Sequence, residues 1–449
     1  MSESAGLKRE LGLAAAAAAV AGEAIAVGIF LTPAGMAKSL GSPFWLLVVW
    51  LVMGAVSLSG ALCFGELAGR YPQAGGLYVF LREAYGPRVA FLYGWQSLLV
   101  MDPGITAAMA VGMATYAAYI FGFSGVAIKV TAIATVALIC GLNILNTKVS
   151  GGVLQVITVL KFAVLIAIVG WAIAFRVGSV QNFVPFVAQR PGSPALGGAL
   201  AGALIAAFFS FGGWWDVSKL AGEVKDPAKM LPRALVLGVI AVTAVYILVS
   251  AVFIYVVPPE RVTSDQTFVA QAGEVMFGKA GSDLLSATVV ICVLGSLAAL
   301  IMVCPRVYYA MASDGLFFHS VAETHPRFGT PAKAIAIQGV LACVLVLLGT
   351  FQQIIAYFIF VAVIFLGLTV LGLMRIRRQV GADGSVVLTP WYPLPPIIFL
   401  MLVVVLLFML AYGNPLQTIV GCAVVVVGAI VYQLAFRGAA PARVVSEAD

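Results

Sequence analysis

The stretch GEAIAVGIFLTP, residues 22–33, lies inside an apolar segment that begins near Leu11 and is long enough to span a membrane. It nevertheless contains two glycines, a carboxylate at Glu23 and a proline at its end. Lipid offers no hydrogen-bond partners, so a weak point in a membrane helix is tolerated only where it faces protein or a water-filled cavity. The stretch therefore predicts a broken helix beside such a cavity.

A second stretch, FFSFGGWWD at residues 208–216, interrupts another apolar segment in the same way. Two interrupted spans at corresponding positions of two halves are typical of transporters, whose binding site lies between the breaks. We therefore expect both stretches to border one site.

The composition of the whole chain indicates a polytopic membrane protein. It is 62% hydrophobic and 10% charged, and its apolar runs recur along all 449 residues. Lys8 and Arg9 precede an Ala-rich run that continues into a full span, which argues against a cleavable signal peptide. The formal charge of +7 resides in short loops between spans, so it reflects topology and not nucleic-acid binding.

A membrane helix needs about 20 apolar residues, and on that measure the sequence predicts an all-α fold of twelve transmembrane helices. The predicted spans cover about 11–38, 44–69, 86–120, 125–146, 151–176, 196–222, 231–257, 283–312, 333–350, 353–375, 392–412 and 415–436. If the N-terminus is cytoplasmic, the cytoplasmic side holds 18 basic residues and the outer side 6. This bias favours twelve spans with both termini in the cytoplasm.

The two breaks fall in spans 1 and 6, whose starts are separated by an odd number of spans, so the second copy is inverted. This spacing predicts a 5+5 inverted repeat of spans 1–5 (about 11–176) and spans 6–10 (about 196–375), followed by spans 11–12 (about 392–436). We interpret residues 1–436 as one permease domain and 437–449 as a short cytoplasmic tail.

An ordered series of motifs extends over most of the chain. It comprises AVGIF at 26–30, GELA at 65–68, YPQAGGLY at 71–78, YGW at 93–95, FSFGGW at 209–214, EVKDP at 223–227, LPRA at 231–234, GSL at 295–297 and SDG at 313–315. The series resembles the amino acid–polyamine–organocation (APC) superfamily, and within it the prokaryotic L-type amino acid transporter branch. The resemblance implies a LeuT-type fold in the cytoplasmic membrane that carries amino acids by alternating access.

The sequence disfavours other partners and other classes of protein. The two histidines share one loop without ligands at metal spacing, and the six cysteines form no CxxC pair, so we predict no metal site and no cofactor. Eukaryotic relatives attach to a heavy chain through a Cys outside span 3, but the loop from Phe121 to Lys129 has none. A membrane enzyme would need clustered catalytic groups, and a channel a continuous polar stripe; the spans show neither.

A broken helix can compensate both charges of an amino acid with backbone groups. The free N–H groups of the outer half-helix suit the carboxylate, and we expect the amides of Val27, Gly28 and Ile29 to bind it. Unwound carbonyls suit the ammonium, for which we expect those of Glu23, Ala24 and Phe209. The other predicted substrate-binding residues border the same breaks: Ala26, Ser210, Gly212 and Gly213.

The first break departs from the family's Gly-Ser-Gly-Ile-Phe motif, because Ala26 and Val27 replace Gly-Ser. The β-branched Val27 makes the break stiffer and narrower, which favours small or neutral substrates. Glu23 is unlike the family and leaves several roles open: it could hold a cationic amino acid or polyamine, share a proton, pair with Lys161, or face water without a role. Asp102, where relatives often have Arg, is similarly open.

Lys161 lies in the middle of span 5, too deep to reach the interface easily. In related carriers without sodium, a lysine here ties the inner half of span 1 to span 8, and Ser296 is a second candidate contact. Lys161 is then a fixed structural cation, a proton-coupling group, or a residue that only lines a water path. The predicted gating residues are Phe209, as an aromatic lid, and three charged residues near the cytoplasmic ends: Glu66, Glu223 and Arg306.

Overall fold

The computed structural model describes residues 11–26, 28–73, 75–145, 151–262, 267–323, 325–381 and 386–437, and these residues fold into helices and connecting loops without a β-strand. The α-helices are α1 (Leu13–Ala24), α2 (Gly28–Leu40), α3 (Pro43–Arg70), α4 (Leu77–Tyr85), α5 (Pro87–Gln96), α6 (Asp102–Phe121), α7 (Val126–Leu145), α8 (Gly151–Ala174), α9 (Leu196–Phe211), α10 (Pro227–Val256), α11 (Phe268–Val303), α12 (Pro305–Ser313), α13 (His319–Ala322), α14 (Ala332–Leu348), α15 (Phe351–Val380), α16 (Leu394–Gly413) and α17 (Pro415–Val431). A π-helical turn (Ser97–Met101) joins α5 to α6.

Within the described residues, nine helical segments are long and apolar enough to cross a membrane, or ten if the bent pair α1 and α2 is one span. Two shorter apolar segments, Val159–Ala174 within α8 and the helix α14, add to these. The all-α membrane class is thus confirmed. The count of twelve spans, the inverted repeat and the orientation of the termini stay predictions.

One predicted boundary differs from the structure. The sequence places the start of the eighth span at residue 283, whereas α11 begins at Phe268. Gly278 bends α11 with a φ of 67°, in the left-handed region that favours glycine. The polar residues around this bend interrupt the apolar run, so the part of α11 before Gly278 was missed.

Helix starts follow local signals in the sequence. The Ser42 hydroxyl accepts from the Trp45 amide at 3.4 Å, and Pro43 occupies the first position of α3. Thr350 and Gln353 form a capping box at the start of α15. These caps satisfy amides that have no partner within the helix.

The helices pack in two groups with α15 against both. In one group α3 packs on α10, α10 on α1, and α2 on α9. In the other, α6 packs on α7, α11 and α14. The first group is dense because small residues allow close approach: a Cβ on Gly54 would lie 2.3 Å from a Thr243 methyl carbon.

Two backbone contacts join the segment before the first break to the segment after the second break. After α9 the chain turns at Gly213, where φ is 101°, into a 3-10 helix (Trp214–Glu223), here called the post-break helix. Its end pairs with the start of α1: Leu11 and Val224 form an isolated parallel β-bridge, and the Lys225 amide donates to the Leu11 carbonyl at 2.9 Å. The inner half-helix α1 and the post-break helix are therefore joined at their far ends.

Candidate functional site

The first predicted break is present between α1 and α2, whose axes meet at 50°. α1 ends at Ala24, the Ile25 amide donates to the Ala21 carbonyl at 2.8 Å, and the Ala26 amide donates to the Ala24 carbonyl at 2.8 Å. α2 starts at Gly28, so its first amides have no helical acceptor and point toward the break. Val27 lies outside the described residues.

The second break packs directly on the first. A Cβ added to Gly28 would lie 2.4 Å from the Ser210 Cα, a distance that only glycine permits. The Thr32 and Ser210 hydroxyls are hydrogen-bonded at 2.7 Å, and the Thr32 hydroxyl also lies 3.1 Å from the Gly28 carbonyl. The two interrupted stretches thus form one structural unit, as the sequence predicts.

Tyr246 of α10 contacts both breaks from behind. Its hydroxyl lies 2.8 Å from the Ala24 carbonyl and 2.7 Å from the Ser210 carbonyl, and it can donate to either. Trp50 packs edge-to-face on the Tyr246 ring at 5.1 Å and holds it in place. The sequence analysis did not identify Tyr246, because its partners are distant in the chain.

A cavity of about 500 Å³ opens beside the two breaks and follows α1 to its first residues. Seven predicted substrate-binding residues line it: Glu23, Ala24, Ala26, Gly28, Phe209, Gly212 and Gly213. Its wall is completed by apolar side chains of α6, α8 and α11, among them Ile105, Met109 and Leu300. A mostly apolar cavity with a few polar groups is typical of small-molecule sites.

Two predicted residues lie behind this wall and not in it. Ile29 is 0% exposed, and Ser210 is buried with its hydroxyl on Thr32. Two of the three predicted ammonium acceptors already have partners, since the Ala24 carbonyl faces Tyr246 and the Phe209 carbonyl accepts from the Gly212 amide at 3.1 Å. Each carbonyl keeps a second lone pair.

Phe209 lies where the cavity meets the outer half of the break. Its ring packs edge-to-face on Phe351 at 5.9 Å and on Phe358 at 6.0 Å, both on α15. Phe351 also lines a second cavity of about 280 Å³ beside α2, together with Leu31 and Thr32. The contact between Phe209 and Phe351 therefore joins the wall of the first cavity to the wall of the second.

Lys161 of α8 reaches the inner half of the first break. Its side chain is only 4% exposed, and its Nζ lies 3.4 Å from the Gly22 carbonyl. Ser296 lines the same cavity but donates to the Cys292 carbonyl at 3.0 Å. The structure thus places Lys161 against α1 and brings Ser296 near it.

Glu23 and Asp216 face the same cavity from its two sides. Glu23 lies deep in the protein, but its side chain is exposed to the cavity. Its backbone carbonyl packs against the backbone of Gly213. Asp216 forms an ion pair with Lys219 at 2.8 Å. Glu23 is within electrostatic range of Asp216, Lys161 and Lys219.

Asp102, at the start of α6, extends this set of charges away from the cavity. It is 6% exposed and accepts a hydrogen bond from the Tyr308 hydroxyl. Lys219 lies within electrostatic range of it. The sequence analysis assigned no role to Asp216 or Lys219; a charged pair three residues apart at the end of an apolar run was the available signal.

Glu66 lies at the end of α3, remote from the cavity, and is fully buried. Arg70 donates to it at 3.0 Å, Arg377 of α15 donates twice, and Thr389 donates from its amide and its hydroxyl, each at 2.8 Å. We call these four residues the Glu66 cluster. The side chains of the other two charged gating candidates, Glu223 and Arg306, lie outside the described residues.

A smaller polar cluster adjoins α4. Tyr78 donates to Asp314 at 2.7 Å, and Arg82 forms an ion pair with Asp314 at 3.1 Å. Burial and the hydrogen bond to Asp314 hold the pKa of Tyr78 well above its ordinary value, so the phenol stays a neutral donor. This cluster connects the loop after α3 to the end of α12.

A pair of broken helices that meet at a cavity, inside a bundle of apolar helices, defines a membrane carrier of the secondary transporter class. The family model for amino acid permeases matches residues 11–435. The chain therefore belongs to the amino acid permease family of the APC superfamily. It is a multi-pass membrane transport protein and not an enzyme.

Named relatives agree with this assignment. The chain is 31% identical to the serine/threonine exchanger SteT of Bacillus subtilis over 396 residues, which cover 88% of this chain and 89% of SteT. It is 28% identical to the human b(0,+)-type amino acid transporter 1 over 376 residues, covering 83% and 76% of the two chains. It is 25% identical to the human cystine/glutamate transporter over 433 residues, covering 95% and 85%.

Proposed function

We propose that this permease is a secondary active transporter that moves small or neutral amino acids across the cytoplasmic membrane by alternating access. It works as an exchanger or as a proton-coupled symporter. The observation that carries the proposal is the junction of the two broken helices, where backbone groups of both border a cavity of about 500 Å³. The name of the serine/threonine exchanger relative supports a small substrate.

The mechanism follows from the backbone of the site. The substrate carboxylate binds the first amides of α2, because a helix N-terminus carries unpaired N–H groups and a partial positive charge. The ammonium binds the carbonyls at the end of α1 and at Phe209, next to the Glu23 carboxylate. Small residues at Ala26, Gly28, Gly212 and Gly213 let the ligand approach the backbone.

The transport cycle is a rearrangement of the two helix groups around this site. In the described state the cavity extends along α1 toward Leu11, and the rings of Phe351 and Phe358 pack on Phe209 in its wall. The cycle closes the Leu11 side and parts the aromatic rings, which exposes the substrate to the other face of the membrane. Lys161 holds the inner half-helix through the Gly22 carbonyl.

The proposal includes the predicted architecture: twelve spans in a LeuT-type 5+5 repeat, one domain over residues 1–436, and both termini in the cytoplasm. The Leu11 side of the cavity is then the cytoplasmic side. The excess of basic residues in the loops on that side supports this orientation. We propose that the transporter works without a disulfide-linked heavy-chain partner.

Glu23 supports a second candidate function, the transport of cationic amino acids or polyamines. Its carboxylate is exposed to the cavity close to the expected ammonium position. A cationic side chain that reached it would gain a charge-assisted hydrogen bond in a site of low dielectric.

Uptake by the purified protein in liposomes tests both candidates. A panel of labelled neutral, cationic and anionic amino acids and of polyamines is measured with and without a pH gradient and with and without internal amino acid. We expect saturable uptake of small neutral amino acids. Uptake restricted to cationic compounds would favour the second candidate, and no uptake under any condition contradicts transport altogether.

A further inference from the structure

The charged side chains around the cavity do not all form ion pairs. Among the described residues, the cavity wall holds the carboxylates of Glu23 and Asp216 and the ammonium group of Lys161. Asp216 is neutralised by Lys219 at 2.8 Å. Glu23 and Lys161 are the charges that remain.

Glu23 is the carboxylate of this set that is open to a ligand. No ion pair within 4.0 Å joins it to a described residue, although four other acidic side chains near the inner ends of the helices have such partners. The Nζ of Lys161 is directed to the carbonyl of Gly22, the residue before Glu23, and Lys161 is only 4% exposed. Glu23 is instead exposed to the cavity, so water and protons can reach it.

The surroundings of Glu23 change when the cavity closes. Water that solvates its carboxylate in the described state has to leave, and an uncompensated carboxylate in an apolar interior costs several kcal/mol. The titratable groups that face it are Lys161 on α8 with Cys292 beyond it, Asp216 and Lys219 on the post-break helix, and Tyr246 on α10. Lys219 is paired with Asp216, and Lys161 is directed to the Gly22 carbonyl, so neither ammonium group forms an ion pair with Glu23.

We propose that Glu23 binds one positive charge each time the cavity closes around a substrate, that this charge is a proton when the substrate is a neutral amino acid, and that the empty carrier returns without it. A cationic amino acid supplies the charge from its own side chain and is carried without a proton. The proton comes from water on the open side, is held on the Glu23 carboxylate during the rearrangement, and is released to water on the other side. Lys161 is a fixed cation in this scheme. The inference rests on the proposed function and assigns its coupling residue.

The experiment measures proton movement and amino acid uptake in the same proteoliposomes, loaded with a pH-sensitive dye. For the wild-type protein in liposomes without internal amino acid, we expect about one proton per neutral amino acid, and uptake that increases with an inside-negative membrane potential. The Glu23→Gln variant loses acidification and the response to potential. Glu23→Asp keeps proton movement at a lower rate. Glu274→Gln, the same chemical change at an exposed carboxylate of α11, behaves as the wild type.

Three results overturn the inference while leaving the proposed function in place. These are acidification by Glu23→Gln equal to that of the wild type, loss of acidification in Asp102→Asn with Glu23→Gln unaffected, and wild-type uptake without proton movement. No amino acid flux in the wild-type protein overturns the proposed function and the inference together. A thermal unfolding midpoint of Glu23→Gln at or above that of the wild type shows that the variant is folded.

Discussion

Glu66 and Glu23 are both carboxylates on apolar helices, yet the protein surrounds them differently. Glu66 is fully buried and accepts hydrogen bonds from Arg70, Arg377 and Thr389, which occupy both of its oxygens. Glu23 has no ion pair with a described residue and is exposed to the cavity. A buried charge is stable only with its donors in place, so Glu66 belongs to the architecture, whereas Glu23 has unused capacity for a ligand.

The difference follows from the elements that carry each residue. Glu66 lies in an unbroken helix, and its donors come from α15 and from the segment after it, more than 300 residues away in sequence. Glu23 lies one residue before the end of a helix that stops in mid-span. Continuous helices allow side chains to saturate a charge, while a break leaves room for solvent and substrate.

The largest expected effect comes from overpacking the contact between the two breaks, close to Glu23. Gly28→Ala places a methyl group 2.4 Å from the Ser210 Cα, and backbone cannot move aside at low cost. We expect both net uptake and exchange of amino acids in proteoliposomes to be lost. Gly197→Ala in α9, where an added Cβ meets nothing within 4 Å, is the matched control and should transport normally.

The second test removes the cation beside Glu23. Lys161→Ala deletes the Nζ contact to the Gly22 carbonyl and leaves Lys219, which is paired with Asp216, as the remaining described ammonium group within electrostatic range of Glu23. We expect net uptake to be abolished, measured with the same substrates and a pH gradient. Normal transport with an unchanged response to pH would show that Lys161 has neither a fixed-cation nor a coupling role.

The third test compares the two glutamates directly by thermal unfolding in detergent. Glu66→Gln leaves Arg377 and Arg70 without their carboxylate, and loss of one partner of a buried ion pair costs about 3 kcal/mol. We expect the apparent Tm to fall by about 3 to 6 °C. Glu23→Gln should leave it within about 1 °C or raise it. Equal losses for both variants would contradict the contrast between them.

The smallest expected effect concerns the hydroxyl that contacts both breaks. Tyr246→Phe keeps the ring on Trp50 but removes the donor to the Ala24 and Ser210 carbonyls. We expect a threefold to tenfold lower uptake rate, since one hydrogen bond contributes about 1 kcal/mol. Tyr412→Phe, at an exposed residue of α16, is the control. An unchanged rate would mean that the hydroxyl does not affect the cycle.

The sequence alone predicted much of this arrangement. Apolar length predicted the membrane class, and local glycines with a carboxylate in mid-span predicted both breaks. These features depend on residue type and on position within a span, which can be read along the chain. The contact of Lys161 with the inner half of span 1 was instead implied by the resemblance to the APC superfamily.

Other features depend on contacts between distant segments and could not be predicted. Nothing in the residues next to Tyr246 indicates that it contacts both breaks. Nothing in the residues next to Thr389 indicates that it donates hydrogen bonds to Glu66. We interpreted Glu66 as a gate from its position near a span end, and the structure surrounds it with donors from three segments. Whether the Glu66 cluster opens during transport stays a prediction.

The backbone bridge between Leu11 and Val224 has a mechanical consequence. The inner half-helix α1 ends at the first break and the post-break helix starts at the second, and the bridge joins the ends that lie away from the breaks. Two helices that are joined at both ends cannot move independently, so we expect α1 and the post-break helix to move as one rigid unit. In the proposed transport cycle, the Leu11 side of the cavity is therefore closed by a joint movement of both helices. A covalent cross-link between α1 and the post-break helix should not prevent this movement.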